Sequence, residues 1–192
     1  MRRAFLAALL AIACVPAWPA DDAKLWDQLR RGGNVILLRH ASTAPGAGDP
    51  PGFRLDDCAT QRNLSEAGRE ESKRIGARLR AERVPIADVF TSPWCRCRET
   101  AMLAFGKAED WKPLSSVFDL PDQDRDYTER VKKRIGNYSS RELKGNVVMV
   151  THNVNIASLT KLSVAPGEMV IVRPDGCCGL RVVGRLLVVG GA

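Results

Sequence analysis

The chain has 192 residues, of which 45% are apolar and 27% are charged. This composition supports one hydrophobic core and excludes a disordered, collagenous or coiled-coil protein. Lys and Arg number 29 against 22 Asp and Glu, for a formal net charge of +7; without Arg2 and Arg3, in a segment that we expect to be removed, it is 27 minus 22, or +5. A modest positive charge favours anionic ligands and does not indicate a nucleic-acid binder.

The N-terminus has the pattern of a secretory signal peptide over residues 1–20. Two arginines precede the apolar residues 4–15, a run too short to span a bilayer, and small residues follow. We expect cleavage after Ala17 or Ala20, and therefore a periplasmic or secreted protein with no stable membrane insertion. A weaker alternative takes Cys14 as a lipid-modified first residue.

The mature chain, residues 21–192, contains five cysteines. An oxidising compartment would allow some of them to pair, and the odd number leaves at least one outside an intramolecular disulfide. A zinc site lacks the two spaced ligand pairs typical of structural zinc, so we expect no metal and no other cofactor. The five are Cys58, Cys95, Cys97, Cys177 and Cys178.

The first two predicted elements are a helix and a buried strand. Residues 22–31 form an amphipathic pattern that ends at Gly32. Residues 35–38 are a continuous aliphatic run, typical of a strand buried on both faces in a parallel sheet. This strand ends directly at Arg39 and His40, which makes both residues candidates for a site at the edge of the sheet.

A long loop and a helix come next. Residues 44–57 are rich in Pro and Gly, which predicts a surface loop, and a loop of this length beside a strand end is more often functional than not. Ser65 is a suitable N-cap for a helix that runs to about Arg83. Its predicted packed face consists of Ala67, Ser72, Ile75 and Leu79.

The remainder of the chain alternates strands and helices without internal repeats. This order predicts a single three-layer α/β/α domain with a mostly parallel central sheet. The remaining predicted elements are a strand at 84–92, helices at 95–105 and 127–138, a strand at 146–151, a helix at 154–162, and a hairpin of strands at 169–172 and 180–189.

Arginine and histidine side chains follow three of the predicted strands. Arg39 and His40 follow the first strand, Arg96 lies one helical turn after the second, and His152 and Asn153 follow the third. Ligands of open α/β sheets bind at the carboxyl ends of strands, so we expect these groups to converge. Two imidazoles and two guanidiniums suit phosphoryl transfer through a covalent intermediate, without a requirement for a metal.

Four ordered blocks of the sequence resemble the histidine phosphatase (phosphoglycerate mutase-like) superfamily. They are residues 38–43, 63–68, 92–101 and 148–153, and the resemblance extends over about 34–160. It implies a phosphoglycerate mutase-like fold, a phosphorylated nucleophile, and a phosphate pocket around it. The implied nucleophile is His40, with Arg39, Arg96 and His152 as the other catalytic residues; we further expect Arg39, Arg96, Thr43, Asn63 and Asn153 to bind substrate.

The sequence differs from the family pattern at the position of the proton donor. Many members carry a catalytic Glu between the arginine block and the second histidine, and Ser116 occupies the best local match to that position. We expect Asp119 to be the donor, because the apolar residues 117–118 before it could anchor it facing the pocket, where partial burial would keep it protonated. Asp122 and Asp124 lie in a charged run and are expected to be solvated.

A narrower resemblance concerns periplasmic members of the superfamily, a group that includes lipopolysaccharide core heptose phosphate phosphatases. The signal peptide, the Pro/Gly loop and the cysteines around Arg96 contribute to it. Family topology brings Cys58 near Cys95 and Cys97, which implies a disulfide with one of the two. Cys177 and Cys178 are adjacent and are not expected to pair with each other.

The expected function is a metal-independent phosphoric monoester hydrolase of the histidine acid phosphatase type. Its partner would be a small anionic phosphomonoester, and the narrower resemblance implies phosphates of the cell envelope, such as those of the lipopolysaccharide core. Two alternatives stay open: a non-catalytic protein that binds phosphate or polyanions, and a phosphoglycerate-type mutase, which the missing Glu disfavours.

Overall fold

The computed structural model describes residues 20–138, 144–176 and 179–188. The signal segment up to residue 19, with its alternative at Cys14, lies outside these residues, as do Cys177 and Cys178. Among the residues that the structure describes, no helix has the length and apolar character needed to cross a membrane.

The described residues form a six-stranded sheet with helices on both faces. The helices are α1 (Ala20–Arg31), α2 (Glu66–Ala81), α3 (Cys95–Phe105), α4 (Asp124–Gly136) and α5 (Asn153–Thr160), and the strands are β1 (Val35–Arg39), β2 (Ile86–Thr91), β3 (Glu109–Asp110), β4 (Asn146–Thr151), β5 (Glu168–Asp175) and β6 (Gly179–Leu187).

The sheet has the strand order β3-β2-β4-β1-β5-β6. The first four strands in this order are parallel to one another, and β5 and β6 are antiparallel additions beside β1. The predicted mostly parallel sheet and the C-terminal hairpin are therefore confirmed. The two-residue strand β3 was not predicted, because it is too short to leave a hydrophobic period.

Alternating side chains of the central strands fill two separate cores. Ile36 and Leu38 of β1 pack with apolar residues of α1, α2 and α3, whereas Val35 and Leu37 face α4 and α5. All four side chains are fully buried. The continuous apolar run of β1 follows from this burial on both faces, and the predicted three-layer architecture is confirmed.

The start of α2 packs closely against the segment that follows His40. Ser65 caps the helix, and its side chain accepts a hydrogen bond from the backbone N–H of Gly68. A Cβ atom on Gly68 would lie 1.9 Å from the carbonyl oxygen of Ser42, so only glycine permits this approach. The prediction that Ala67 belongs to the packed face was wrong: Ala67 is exposed, and Gly68 occupies the buried position.

Candidate active site

The carboxyl ends of β1, β2 and β4 meet at one edge of the sheet. The backbone N–H of His40 donates to the carbonyl of Thr151 at 2.9 Å, and that of Ser92 donates to Val150 at 2.9 Å. This register brings the residues after each strand together, and the ring centroids of His40 and His152 are 5.4 Å apart. The predicted convergence of the two histidines is thus observed.

The hydrogen bonding of His40 determines which ring nitrogen is free. Its Nδ1 lies 2.8 Å from the carbonyl oxygen of Ala41, which can only accept, so Nδ1 carries the proton and Nε2 keeps its lone pair. Burial, opposed by this bond, lowers the pKa of His40 to about 3, and the nearby charges of Arg96 and Arg39 lower it further. At neutral pH the ring is therefore an uncharged imidazole with an unprotonated Nε2.

His152 adopts the opposite tautomer. Its Nδ1 is 3.5 Å from Nη2 of Arg96, a nitrogen that can only donate, so Nδ1 accepts and Nε2–H donates to the hydroxyl of Ser92 at 2.9 Å. Burial lowers the pKa of His152, and the neighbouring His40 and Arg96 act in the same direction. Trp94 packs edge-on against the ring and holds it in place.

A cavity of about 270 Å³ opens at this edge of the sheet. Six of the eight predicted site residues line it, together with Ser116 at the position where the family Glu was expected. In the described part of the chain, no group of three His, Cys, Asp or Glu side chains is placed to hold a metal ion. The six predicted residues in the wall are Arg39, His40, Arg96, Asp119, His152 and Asn153.

Two predicted substrate-binding residues, Thr43 and Asn63, do not line the cavity. Thr43 pairs with Leu64 in an isolated β-bridge, and its hydroxyl accepts a hydrogen bond from Nη1 of Arg62 at 2.5 Å. The side-chain amide of Asn63 donates to the carbonyl of Cys58 at 2.6 Å. Both side chains hold the loop in place, and their contact with substrate stays a prediction.

Arg62 lines the cavity and was missed by the sequence reasoning. Its Nε donates to the carbonyl of Gly48 at 2.8 Å, which holds the guanidinium against the loop. Burial and the charge of Arg96 lower its pKa. In sequence it stands next to the Asn63 block, but an arginine in a loop is usually a solvated surface group, so position alone did not identify it.

Three guanidiniums, those of Arg39, Arg62 and Arg96, therefore line one cavity. Burial and the charge of Arg62 lower the pKa of Arg39, whose Nη1 donates to the carbonyl of Val164 at 2.6 Å. Like charges held this close in a partly desolvated cavity favour a bound anion, and guanidinium groups bind phosphate through paired hydrogen bonds. The site is built for a ligand with several anionic oxygens.

Asp119 lies in the cavity wall and is half-buried. Its Oδ2 is enclosed and has no hydrogen-bond partner among the described residues. The anchoring differs from the prediction: Val117 is buried, but Phe118 is 61% exposed at the cavity rim, so Val117 alone acts as the apolar anchor. Neither Asp122 nor Asp124 lines the cavity; Asp122 is exposed, whereas Asp124 is half-buried and accepts a hydrogen bond from the Thr128 hydroxyl.

A disulfide joins Cys58 to Cys95, with Cα atoms 5.7 Å apart. It connects the end of the long loop to the first residue of α3, one position before Arg96. This resolves the two predicted pairings in favour of Cys95. Cys97 is a free, buried thiol 3.6 Å from Nε2 of His152, and burial raises its pKa to about 12.

Comparison with known proteins shows which family and which solved structures the chain is similar to. Residues 35–124 match the family model of the histidine phosphatase superfamily (branch 1). The fold resembles that of protein histidine phosphatase SixA complexed with tungstate (17% identity, 80% of this chain and 96% of that chain covered, TM-score 0.54). It also resembles Rv3214 from Mycobacterium tuberculosis (16% identity, 79% of this chain and 95% of that chain covered, TM-score 0.56). A third similar structure is YhfR from Bacillus stearothermophilus (19% identity, 78% of this chain and 95% of that chain covered, TM-score 0.55).

No curated protein matches the sequence significantly. At these identities the solved structures establish the fold, and the family model covers the segment that contains His40, Arg62, Arg96 and Asp119. The family-model match, over just under half of the chain, and the fold together support the histidine phosphatase superfamily.

Proposed function

We propose that the protein is a secreted, metal-independent phosphomonoesterase that forms a phosphohistidine on His40. One observation carries the proposal: an uncharged His40 with a free Nε2 faces a cavity lined by three guanidiniums. An unprotonated imidazole in the wall of a cationic cavity suits attack on the phosphorus of a bound phosphomonoester.

The reaction has two displacement steps. In the first, a bond forms between Nε2 of His40 and phosphorus while the bond from phosphorus to the ester oxygen breaks, and that oxygen takes a proton from Asp119. In the second, water attacks phosphorus and loses a proton to the Asp119 carboxylate, the N–P bond breaks, and inorganic phosphate leaves. Arg39, Arg62 and Arg96 bind the non-bridging oxygens and supply the fixed positive field for this chemistry.

The protonation state of His40 supports activity under acidic conditions, as the acid phosphatase type requires. Because its pKa is lowered to about 3, the imidazole stays unprotonated and nucleophilic well below neutral pH. Nδ1 of His152 accepts a hydrogen bond in the free protein, so it must gain a proton before it can donate to a phosphoryl oxygen. A monoanionic phosphomonoester, the predominant form in acid, can bring that proton.

The cell envelope is the proposed location of the substrate. The Cys58–Cys95 disulfide supports an oxidising compartment, since such bonds persist in periplasmic and secreted proteins. The signal-like N-terminus supports the same compartment. We therefore propose phosphorylated sugars of the lipopolysaccharide core as the natural substrates, bound through the phosphoryl group in the arginine-lined cavity.

The first experiment tests the chemistry. Release of phosphate from p-nitrophenyl phosphate is measured with and without EDTA, and the reaction with labelled substrate is quenched rapidly in alkaline detergent, in which a phosphohistidine survives. We expect turnover that EDTA does not reduce and an acid-labile, base-stable phosphoprotein that His40→Ala eliminates without loss of circular dichroism. Full activity in His40→Ala would refute the mechanism, and phosphate binding without turnover would indicate the non-catalytic binder.

A second experiment tests the substrate class. The mature protein is assayed against lipopolysaccharide core phosphates, sugar phosphates, nucleotides, phosphoproteins and 3-phosphoglycerate. We expect the highest kcat/KM for the core phosphates. A preference for nucleotides or phosphoproteins would contradict the envelope proposal and leave the phosphohistidine mechanism intact, whereas interconversion of phosphoglycerates would indicate a mutase.

A further inference from the structure

The long loop contributes a fully buried carboxylate, Asp49, to the surroundings of the cavity. Its side chain is 0% exposed, although the segment around it is largely solvent-accessible. The two carboxylate oxygens each accept from Nη1 of Arg96 at 2.9 Å. Oδ2 also accepts from the indole N–H of Trp94 at 3.0 Å, and Oδ1 accepts from the backbone N–H of Arg62 at 2.8 Å.

These contacts engage Nη1 of the Arg96 guanidinium and leave Nε without a partner among the described residues. Nη1 is bound by Asp49 and lies 3.4 Å from the carbonyl of Arg62. Among the described residues, Nε is buried without a partner, and Nη2 contacts only Nδ1 of His152, at 3.5 Å. Nε and Nη2 form one edge of the planar group, and two such parallel N–H donors match two oxygens of a phosphoryl group.

Asp49 lies behind Arg96 and not in the cavity. The neighbouring loop residues 46–48 line the cavity wall together with Arg96, but Asp49 does not. Its carboxylate therefore does not occupy the space of a bound phosphoryl group. A buried carboxylate is stable only when it is paired and hydrogen-bonded, as Asp49 is, and its removal would leave the Arg96 charge uncompensated beside two other arginines.

We propose that Asp49 is a positioning residue that turns the Nε and Nη2 edge of Arg96 toward the phosphoryl group. Through the Arg62 backbone it also fixes the segment that places the third guanidinium, since Nε of Arg62 donates to Gly48, the residue before Asp49. The proposal rests on the proposed phosphatase function, and it assigns the long loop a part in transition-state binding.

The test uses the mature protein with Asp49→Ala and, as a matched control from the same loop, Asp56→Ala, whose carboxylate is 85% exposed. We expect kcat of Asp49→Ala to fall about 100-fold, as misplacement of a catalytic group does, and Asp56→Ala to keep wild-type kcat. Added formate should restore kcat of Asp49→Ala in a saturable manner, because it can replace the carboxylate, whereas neutral formamide should not.

A double-mutant cycle separates positioning from a general structural effect. If Asp49 acts through Arg96, Asp49→Ala should lower kcat much less in an Arg96→Ala background than in the wild type. Equal losses in both backgrounds, equal rescue by formamide, or wild-type kcat in Asp49→Ala would each overturn the proposal. Asp49→Asn, which keeps the volume, provides the same comparison if the alanine variant does not fold, and should not respond to formate.

Binding of inorganic phosphate, measured by calorimetry, keeps this test separate from the proposed function. We expect Asp49→Ala to weaken phosphate binding about tenfold or more, the loss of a well-oriented charged hydrogen-bond pair, and to change it little when Arg96 is already alanine. Should the wild type release no phosphate from any ester, the phosphatase function fails while this binding comparison still decides the role of Asp49. Unchanged phosphate binding in Asp49→Ala would refute it.

Discussion

The strand ends and the loops build different parts of the active site. His40 and His152 follow directly from β1 and β4, whose backbone register fixes their separation. Asp49, Arg62 and Asp119 come from two loops and are held by side-chain hydrogen bonds, a disulfide and one apolar anchor. The proposed nucleophile thus lies at the end of a rigid sheet strand, while the loops supply the charge balance and much of the cavity wall.

The largest loss of activity is expected from the groups held by regular elements. Arg96→Ala and His152→Ala should each lower kcat by about two to four powers of ten, because each removes a preorganised partner of the transferred phosphoryl group. Steady-state kinetics measures the effect, with Arg98→Ala, which removes an exposed ion pair with Asp110, as control. An increase in KM alone would make Arg96 and His152 simple binding residues.

Asp119 tests whether a loop also supplies a catalytic group. Asp119→Asn should lower kcat for alkyl phosphates by about two to four powers of ten, the usual contribution of a positioned acid. For p-nitrophenyl phosphate kcat should change little, since its leaving group needs no proton. The comparison uses both substrates on one preparation, with the exposed Asp122→Asn as control. Equal losses on both substrates would exclude Asp119 as the donor.

The disulfide tests how strongly the long loop depends on a covalent tether. Cys58→Ser should lower the free energy of unfolding by about 3 to 4 kcal/mol, the chain-entropy expectation for this loop length. Cys58 is exposed, so the substitution creates no cavity in the core. Urea unfolding of the variant, of the wild type and of the reduced wild type provides the comparison. A wild type that is insensitive to reduction would show that the bond is absent.

The two strand-end histidines make stability depend on pH. The pKa of His40 is about 3 in the folded protein against 6.5 for the free group, so between these values only the unfolded chain binds the proton. The free energy of unfolding should therefore decrease on acidification from pH 6.5, by about 1.4 kcal/mol per pH unit for this group. Urea unfolding at pH 7 and pH 5 should show a smaller decrease in His40→Asn. An identical decrease in both proteins would contradict a buried, neutral His40.

Arg62 is the loop group with the smallest expected effect. Arg62→Gln should lower kcat/KM by about tenfold, which is the lower end of the range expected for loss of one hydrogen bond to a charged group. The effect should be at this lower end because Arg62 is less buried than Arg96. Arg54→Gln, in the exposed part of the same loop, serves as the control. A loss as large as that of Arg96→Ala would remove the distinction between loop and strand-end groups.

The amino-acid sequence by itself determined the layered fold and the strand-end part of the site. A strand buried on both faces requires consecutive apolar residues, and a helix requires its own period and caps, so β1, β4 and α3 could be read from local patterns. Because parallel strands end at one edge, Arg39, His40, Arg96 and His152 could be expected together before any coordinates.

Only the tertiary structure decided what the loops contribute. Loop side chains follow no hydrophobic period, and their position depends on contacts with residues distant in sequence, such as those of Asp49 with Arg96 and of Thr43 with Arg62. Thr43 and Asn63 were therefore expected in the cavity but turn to the loop, while Arg62 and Asp49 were not identified. Burial of a carboxylate or guanidinium depends on the whole surrounding packing, which local sequence does not encode.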